Sequence, residues 1–122
     1  MKVIVNNIIP FKGYSYINLF GLCFTRKKDL QLSDVAINHE EIHTLQGKYL
    51  LWIFFYLIYF IEWGIKIIPS IFCKRGRFSI IKYAYRSISF EQVAYYNETN
   101  LNYLKTAKPY EWIKYIFKMY KL

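Results

Sequence analysis

The sequence predicts an α+β domain, mostly helical, with a short N-terminal β-hairpin ahead of a helical core. Three observations carry that prediction. Two short stretches rich in β-branched and aromatic residues precede Lys27, a long apolar block runs from Tyr49 to Cys73, and helix-start and helix-stop residues punctuate the chain beyond it. The 122 residues are 55% hydrophobic and 21% aromatic. That length holds one domain, 1–122, and excludes a two-domain enzyme, while so much apolar surface excludes wholesale disorder.

Lys2 to Ile9 and Ser15 to Arg26 read as strands, and Pro10-Phe11-Lys12-Gly13 between them reads as the turn of an antiparallel hairpin. After the polar Arg26-Lys27-Lys28-Asp29, Ser33 and Asp34 mark a helix start. A serine hydroxyl accepts from an orphan N–H, and an aspartate complements the positive end of the helix dipole. This helix runs to about Lys48, where Gly47 weakens it. Leu50 to Ile61 is unbroken apolar sequence that continues to Pro69, helical by length, with the proline as its stop. Lys74-Arg75-Gly76-Arg77 is a basic loop. Ser89-Phe90-Glu91-Gln92 matches a capping box, with Ser89 at the cap and Gln92 three residues on. Asn97 to Asn102 breaks that helix, and Pro109 opens a last one with Tyr110, Ile113, Ile116, Phe117 and Tyr120 on one face.

The formal charge is +9, and ten Lys and Arg against three Glu follow Phe72. Such an excess suggests an anionic partner, a membrane surface or a nucleic acid. The nucleic-acid reading lacks any recognisable binding motif, and acidic residues interrupt the basic stretches. Headgroups fit better, because the Lys74–Arg77 cluster directly follows the apolar block. Cys23 and Cys73 stand fifty positions apart in apolar surroundings and read as buried free thiols. Asn6, Asn7 and Pro10 interrupt the N-terminal apolar run, so no signal peptide is expected. The expected setting is cytoplasmic or cytoplasmic-membrane associated.

The two histidines of the chain stand together in His39-Glu40-Glu41-Ile42-His43. On a helix, positions i and i+4 share a face, so both imidazoles can reach one ion. Glu40 between them can take a proton from a water held there, the logic of HExxH zinc chemistry. A catalytic zinc needs a third protein ligand. No third histidine exists, and both cysteines lie in apolar runs, which leaves Glu62, Glu91, Glu98 and Glu111 as downstream candidates. Glu91, in the first turn of a capped helix, is the most rigidly placed.

His39-Glu40-x-x-His43 followed by Glu91-x-x-Ala94-Tyr95 resembles the gluzincin metallopeptidases. The pattern is similar to that of the CAAX prenyl proteases and the HtpX-type heat-shock protease, and the size to the minigluzincins. The resemblance implies a zincin-like helical core, Zn2+ held by His39, His43 and Glu91, Glu40 as general base, and a peptide or protein substrate. One position departs: Tyr95 stands where those families carry an Asp that orients a ligand histidine, a role open to Asn38, Asn97 or Glu98. Tyr95, Arg86 and Glu98 are the candidates for outer-shell support or for polarising a substrate carbonyl, with Tyr83, Tyr85 and Tyr96 nearby. The resemblance also implies that an extended peptide lies along an edge strand, for which Ile17 to Arg26 is available.

The apolar block tests this site. Residues near 50–68 suffice for a transmembrane segment, yet a single span would put His39 and His43 on one side and Glu91 on the other. Either the block is core or interfacial, or Glu91 is not a ligand. The leading expectation is a membrane-peripheral zinc metallopeptidase; the alternative is a non-catalytic metal-binding or membrane-associated adaptor that keeps the fold.

Overall fold

The computed structural model describes residues 1–10 and 14–122. Residues 11–13 of the expected Pro10–Gly13 turn lie outside them. Three short strands, β1 (Lys2–Val5), β2 (Ile17–Leu19) and β3 (Leu22–Thr25), precede helices α1 (Asp34–Tyr49), α2 (Ile53–Phe72), α3 (Ile80–Ser87), α4 (Ser89–Asn97) and α5 (Tyr103–Thr106), and a 3-10 helix at Glu111–Tyr115. The class is the expected one, α+β and mostly helical.

The sheet departs from the expected hairpin. Its strand order is β1-β3-β2, with β1 parallel to β3 and β2 antiparallel to it. The stretch expected as one strand from Ser15 to Arg26 folds on itself at Phe20-Gly21, whose φ angles of 56° and 83° are those of a two-residue type I′ turn. Phe20 tolerates the left-handed conformation because its N–H donates to the Tyr56 hydroxyl and its ring packs edge-on against Trp52 and Tyr56. β3 is therefore central, with β1 and β2 at the two edges.

Ser33 caps α1 as its type predicts, accepting from the Ala36 N–H at 3.1 Å. The apolar run does not continue straight from α1. Leu51 and Trp52 take positive φ, and a Cβ on Gly47 would stand 2.1 Å from the Trp52 ring, so the glycine is the seat of the indole. α2 then passes through Pro69 to Phe72, three residues beyond the expected stop, and Arg75 Nη1 closes its end by donating to the Ser70 and Ile71 carbonyls.

Sequence alone gave no helix at Ile80–Ser87, and it misplaced the cap of the next one. Ser89 is already helical in α4. The Glu62 carboxylate of α2 does the capping, accepting from Ser89 N at 2.7 Å and Ser89 Oγ at 2.6 Å while paired with Lys66 at 2.9 Å. Gln92 turns away to donate to the Ser87 and Lys118 carbonyls. The helix expected after Pro109 is only the 3-10 segment. Lys66 Nζ donates to the carbonyls of Tyr115 and Lys118, and the Ser87 hydroxyl accepts from the Tyr120 N–H, so core side chains fasten this tail in addition to its own short-range backbone bonds.

Two apolar clusters fill the interior, one around Ile42, Val93, Ala94 and Tyr103, the other around Phe55, Ile88 and Phe90. Trp112 packs against both. The first cluster glues α4 to α1, and the second glues it to α2. Among the described residues one helix, α2, is long and apolar enough to cross a membrane. It is not the buried centre of the domain: only Phe55, Glu62, Lys66 and Ser70 of it are buried. Both cysteines are free, Cys23 buried and Cys73 half-buried.

Candidate metal centre

The helical register of α1 puts His39 and His43 one turn apart on its inward face, and the packing of α4 across that face delivers Glu91. His39 Nε2 lies 3.2 Å from His43 Nε2 and 3.2 Å from Glu91 Oε1, and His43 Nε2 lies 3.1 Å from that same oxygen. Three donor atoms from positions up to 52 residues apart thus form a nearly equilateral triangle. A tetrahedral ion bound at about 2.0–2.1 Å separates its ligand atoms by about 3.3–3.4 Å, so the triangle accepts such an ion with shifts of a few tenths of an ångström. The group could hold a metal ion.

The far side of each imidazole is also fixed. His39 Nδ1 faces Glu98 Oε2 at 2.7 Å, and His43 Nδ1 faces Gln46 Oε1 at 2.9 Å. Gln46 presents its oxygen because its amide nitrogen donates to the Phe90 carbonyl at 3.2 Å. With both Nδ1 atoms donating outward, both Nε2 lone pairs are free to point at one centre. Of Asn38, Asn97 and Glu98, Glu98 is the one whose side chain meets an imidazole. Asn38 holds it there, donating to the carbonyls of Asn97, Glu98 and Asn100 at 3.3, 2.8 and 3.0 Å.

The second oxygen of Glu91 accepts from the Tyr59 hydroxyl at 2.6 Å. Burial and the neighbouring carboxylate push the Tyr59 phenol well above its usual range, which keeps it a proton donor. Burial would raise the Glu91 carboxyl too, but the charge of His43 and the hydrogen bonds of both histidines override it, so the group is held well below the usual carboxylate range. In the metal-free chain His43 moves the other way. Burial opposes its charge, yet Glu91, then Glu40, carry its pKa up to about 9.

Of the other residues singled out in the sequence, Tyr95 packs its ring edge-on against His39 with centroids 4.5 Å apart, and the Arg86 guanidinium lies 3.8 Å above the centre of that ring. They form a stack behind His39: cation, phenol, imidazole. Tyr83 and Tyr96 serve the C-terminal tail, donating to the Tyr120 carbonyl and accepting from the Lys121 N–H. Tyr85 packs against Tyr59. Glu62 caps α4 and Glu111 bonds Tyr103, so neither reaches the histidines. Glu40 is half-buried, and its backbone carbonyl accepts from Asn18 of β2 at 3.1 Å, which fastens the sheet edge beside it.

Sequence reasoning missed Gln46 and Tyr59. Gln46 had a usable signal, since position i+3 from His43 lies on the same helical face. Tyr59 had none, because its approach depends on how α2 crosses α4. No family model, curated protein or solved structure matches the chain.

Proposed function

We propose that this chain is a small zinc metallopeptidase of gluzincin type, cytoplasmic or at the cytoplasmic face of a membrane, that hydrolyses peptide bonds. The observation that carries the reading is the convergence of His39, His43 and Glu91 on one point, with Glu98 and Gln46 fixing the two imidazoles from behind. Two imidazoles and one carboxylate are the donor set of a catalytic zinc with a position to spare. When bound, zinc supplies Lewis acidity, bringing the pKa of a water to about 7. The chain supplies the rest. Glu91 and the histidines would hold the ion, Tyr59 keeps Glu91 oriented, and Glu40 would serve as the base that accepts a proton and delivers it to the leaving amine. The edge strand β2, tied to Glu40 through Asn18, offers backbone groups to an extended peptide.

The test pairs metal content with cleavage. His39→Ala and Glu91→Ala should each lose stoichiometric zinc, whereas Glu40→Gln should keep it and lose hydrolysis of a peptide library. Full zinc in Glu91→Ala would sink the ligand assignment.

One observation favours a second reading, a non-catalytic metal-binding adaptor. His39, His43 and Glu91 are 6%, 7% and 2% exposed, a degree of enclosure suited to a metal that holds a fold together. That reading predicts bound zinc, no cleavage of any peptide in the library, and a Glu40→Gln variant indistinguishable from the parent.

A further inference from the structure

Helix α2 packs Phe55, Tyr56, Ile58, Tyr59 and Trp63 inward, yet its outer face is apolar as well. Three of its four buried residues, Glu62, Lys66 and Ser70, are polar or charged. Its exposed positions are Ile53, Phe54, Leu57, Phe60, Ile61, Gly64, Ile65, Ile68, Ile71 and Phe72, without one polar side chain among them. Ile65 is 63% exposed, Ile68 65% and Phe72 84%. The stripe runs the whole helix, 20 residues, or about 30 Å. It also extends sideways. At one side a 480 Å³ groove between Ile61, Ile65, Pro69 and the tail residues Ile116, Phe117 and Met119 continues it, and Phe117 is 98% exposed. So large a contiguous apolar surface marks an interaction site.

We infer that the outer face of α2, with Phe117 beside it, lies in the interfacial plane of an anionic lipid bilayer. The polarity of the helix is the first argument: ionisable side chains turned to the protein interior and an unbroken apolar outer face are what contact with lipid selects. Charge is the second. Lys48 in the last turn of α1, five residues before the helix, and Lys74 and Arg77 just past its end are exposed, and no acidic residue stands between the buried Glu62 and Glu91. The stripe is thus bracketed by cations at both ends, the pattern that seats an in-plane helix on acidic headgroups. A second copy fits poorly, since a two-fold pairing that covers the whole stripe, parallel or antiparallel, brings those cations onto one another.

A span fits poorly as well. α3 and α4 return along α2 in the opposite direction, with Trp63 bonded to Ile81, Glu62 to Ser89, and Phe55 packed on Phe90. A spanning α2 would carry α3 and its exposed Lys82 through the hydrocarbon. Lying in the plane, the helix keeps α1 and α4 together on the aqueous side. This inference is independent of the metal reading.

The experiment is flotation of the full chain with phosphatidylcholine vesicles, with and without phosphatidylglycerol, and zinc content is measured on the same samples. The parent should float with the anionic vesicles and release several-fold at high salt. Ile65→Glu combined with Ile68→Glu should reduce flotation at least about tenfold, with the circular dichroism spectrum and zinc content unchanged. Lys74→Glu with Arg77→Glu should remove the preference for anionic lipid alone. Undiminished flotation of the isoleucine double variant would overturn the inference. So would resistance of the bound parent to alkaline extraction, which indicates a span, or a concentration-dependent dimer without flotation, which indicates a second copy. A chain that holds zinc but does not float defeats only this inference, and one that floats without zinc defeats only the metallopeptidase.

Discussion

At the scale of single residues, the candidate metal centre is a matter of which atoms each side chain has left to offer. His39 and His43 spend Nδ1 on Glu98 and Gln46 and keep Nε2 for the shared point. A charged acceptor such as Glu98 makes the opposite nitrogen a better ligand, and losing such a partner typically costs 10–100-fold in metal affinity. Glu98→Ala should therefore weaken zinc binding by about that factor while leaving one zinc per chain at saturation, and competition with a calibrated chelator would measure it. An unchanged affinity would mean that Glu98 is only a solvated helix charge. The pairing of His39 with His43 was legible in the sequence because i and i+4 share a helical face; Glu91 was one of four downstream carboxylates the residues left open, and only the resemblance singled it out as a ligand. The support was legible only in part. Glu98 lies seven positions from Glu91, close enough to be considered, but Tyr59 reaches Glu91 from a helix whose crossing no local pattern encodes.

At the scale of elements, the same division holds between short-range and long-range causes. The Ser33 cap is local and was readable; the cap of α4 is Glu62, 27 residues upstream of Ser89, and was not. The expected pairing of Lys2–Ile9 with Ser15–Arg26 failed for a related reason, although β2 and β3 do form an antiparallel hairpin. β-propensity marked the strand residues but could not choose their partners, and the Phe20-Gly21 reversal hid inside what looked like one strand. The junction of α1 and α2 shows how a glycine can be misread. Gly47 looks like a weak point, yet its missing side chain is the space that Trp52 fills. Gly47→Ala should destabilise the fold by about 1–3 kcal/mol, because the indole must move from a packed position. In a Trp52→Ala background the same change should turn favourable by about 0.5–1 kcal/mol, the ordinary helix preference for alanine. Thermal unfolding of the four proteins of this cycle decides it; the same sign in both backgrounds would refute the seat.

At the scale of the whole molecule, the centre joins α1 to α4 and so ties proton balance to folding. Consider first the metal-free chain. Burial disfavours the charged His43, but Glu91 overrides it and raises its pKa from 6.5 to about 9. A raised folded pKa gives stability that is complete below the unfolded value of 6.5 and disappears as pH rises through about 9. Glu91 shifts the opposite way, so its share is present above 4.5 and is lost as acid protonates it. The metal-free protein should accordingly be most stable between 4.5 and 6.5 and weaken toward 9. A bound ion reverses that slope. It takes the same Nε2 lone pair, so His43 must give up its proton, and affinity should rise about tenfold per pH unit until the histidine is neutral. Because an ion that binds only the folded state stabilises by mass action, a hundredfold excess over Kd adds about 2.7 kcal/mol. Melting curves of chelated and zinc-saturated protein should thus diverge with rising pH, the first falling and the second climbing. Parallel curves would mean that the ion does not compete with the His43 proton, and that the triangle of His39, His43 and Glu91 is a buried ion pair and nothing more.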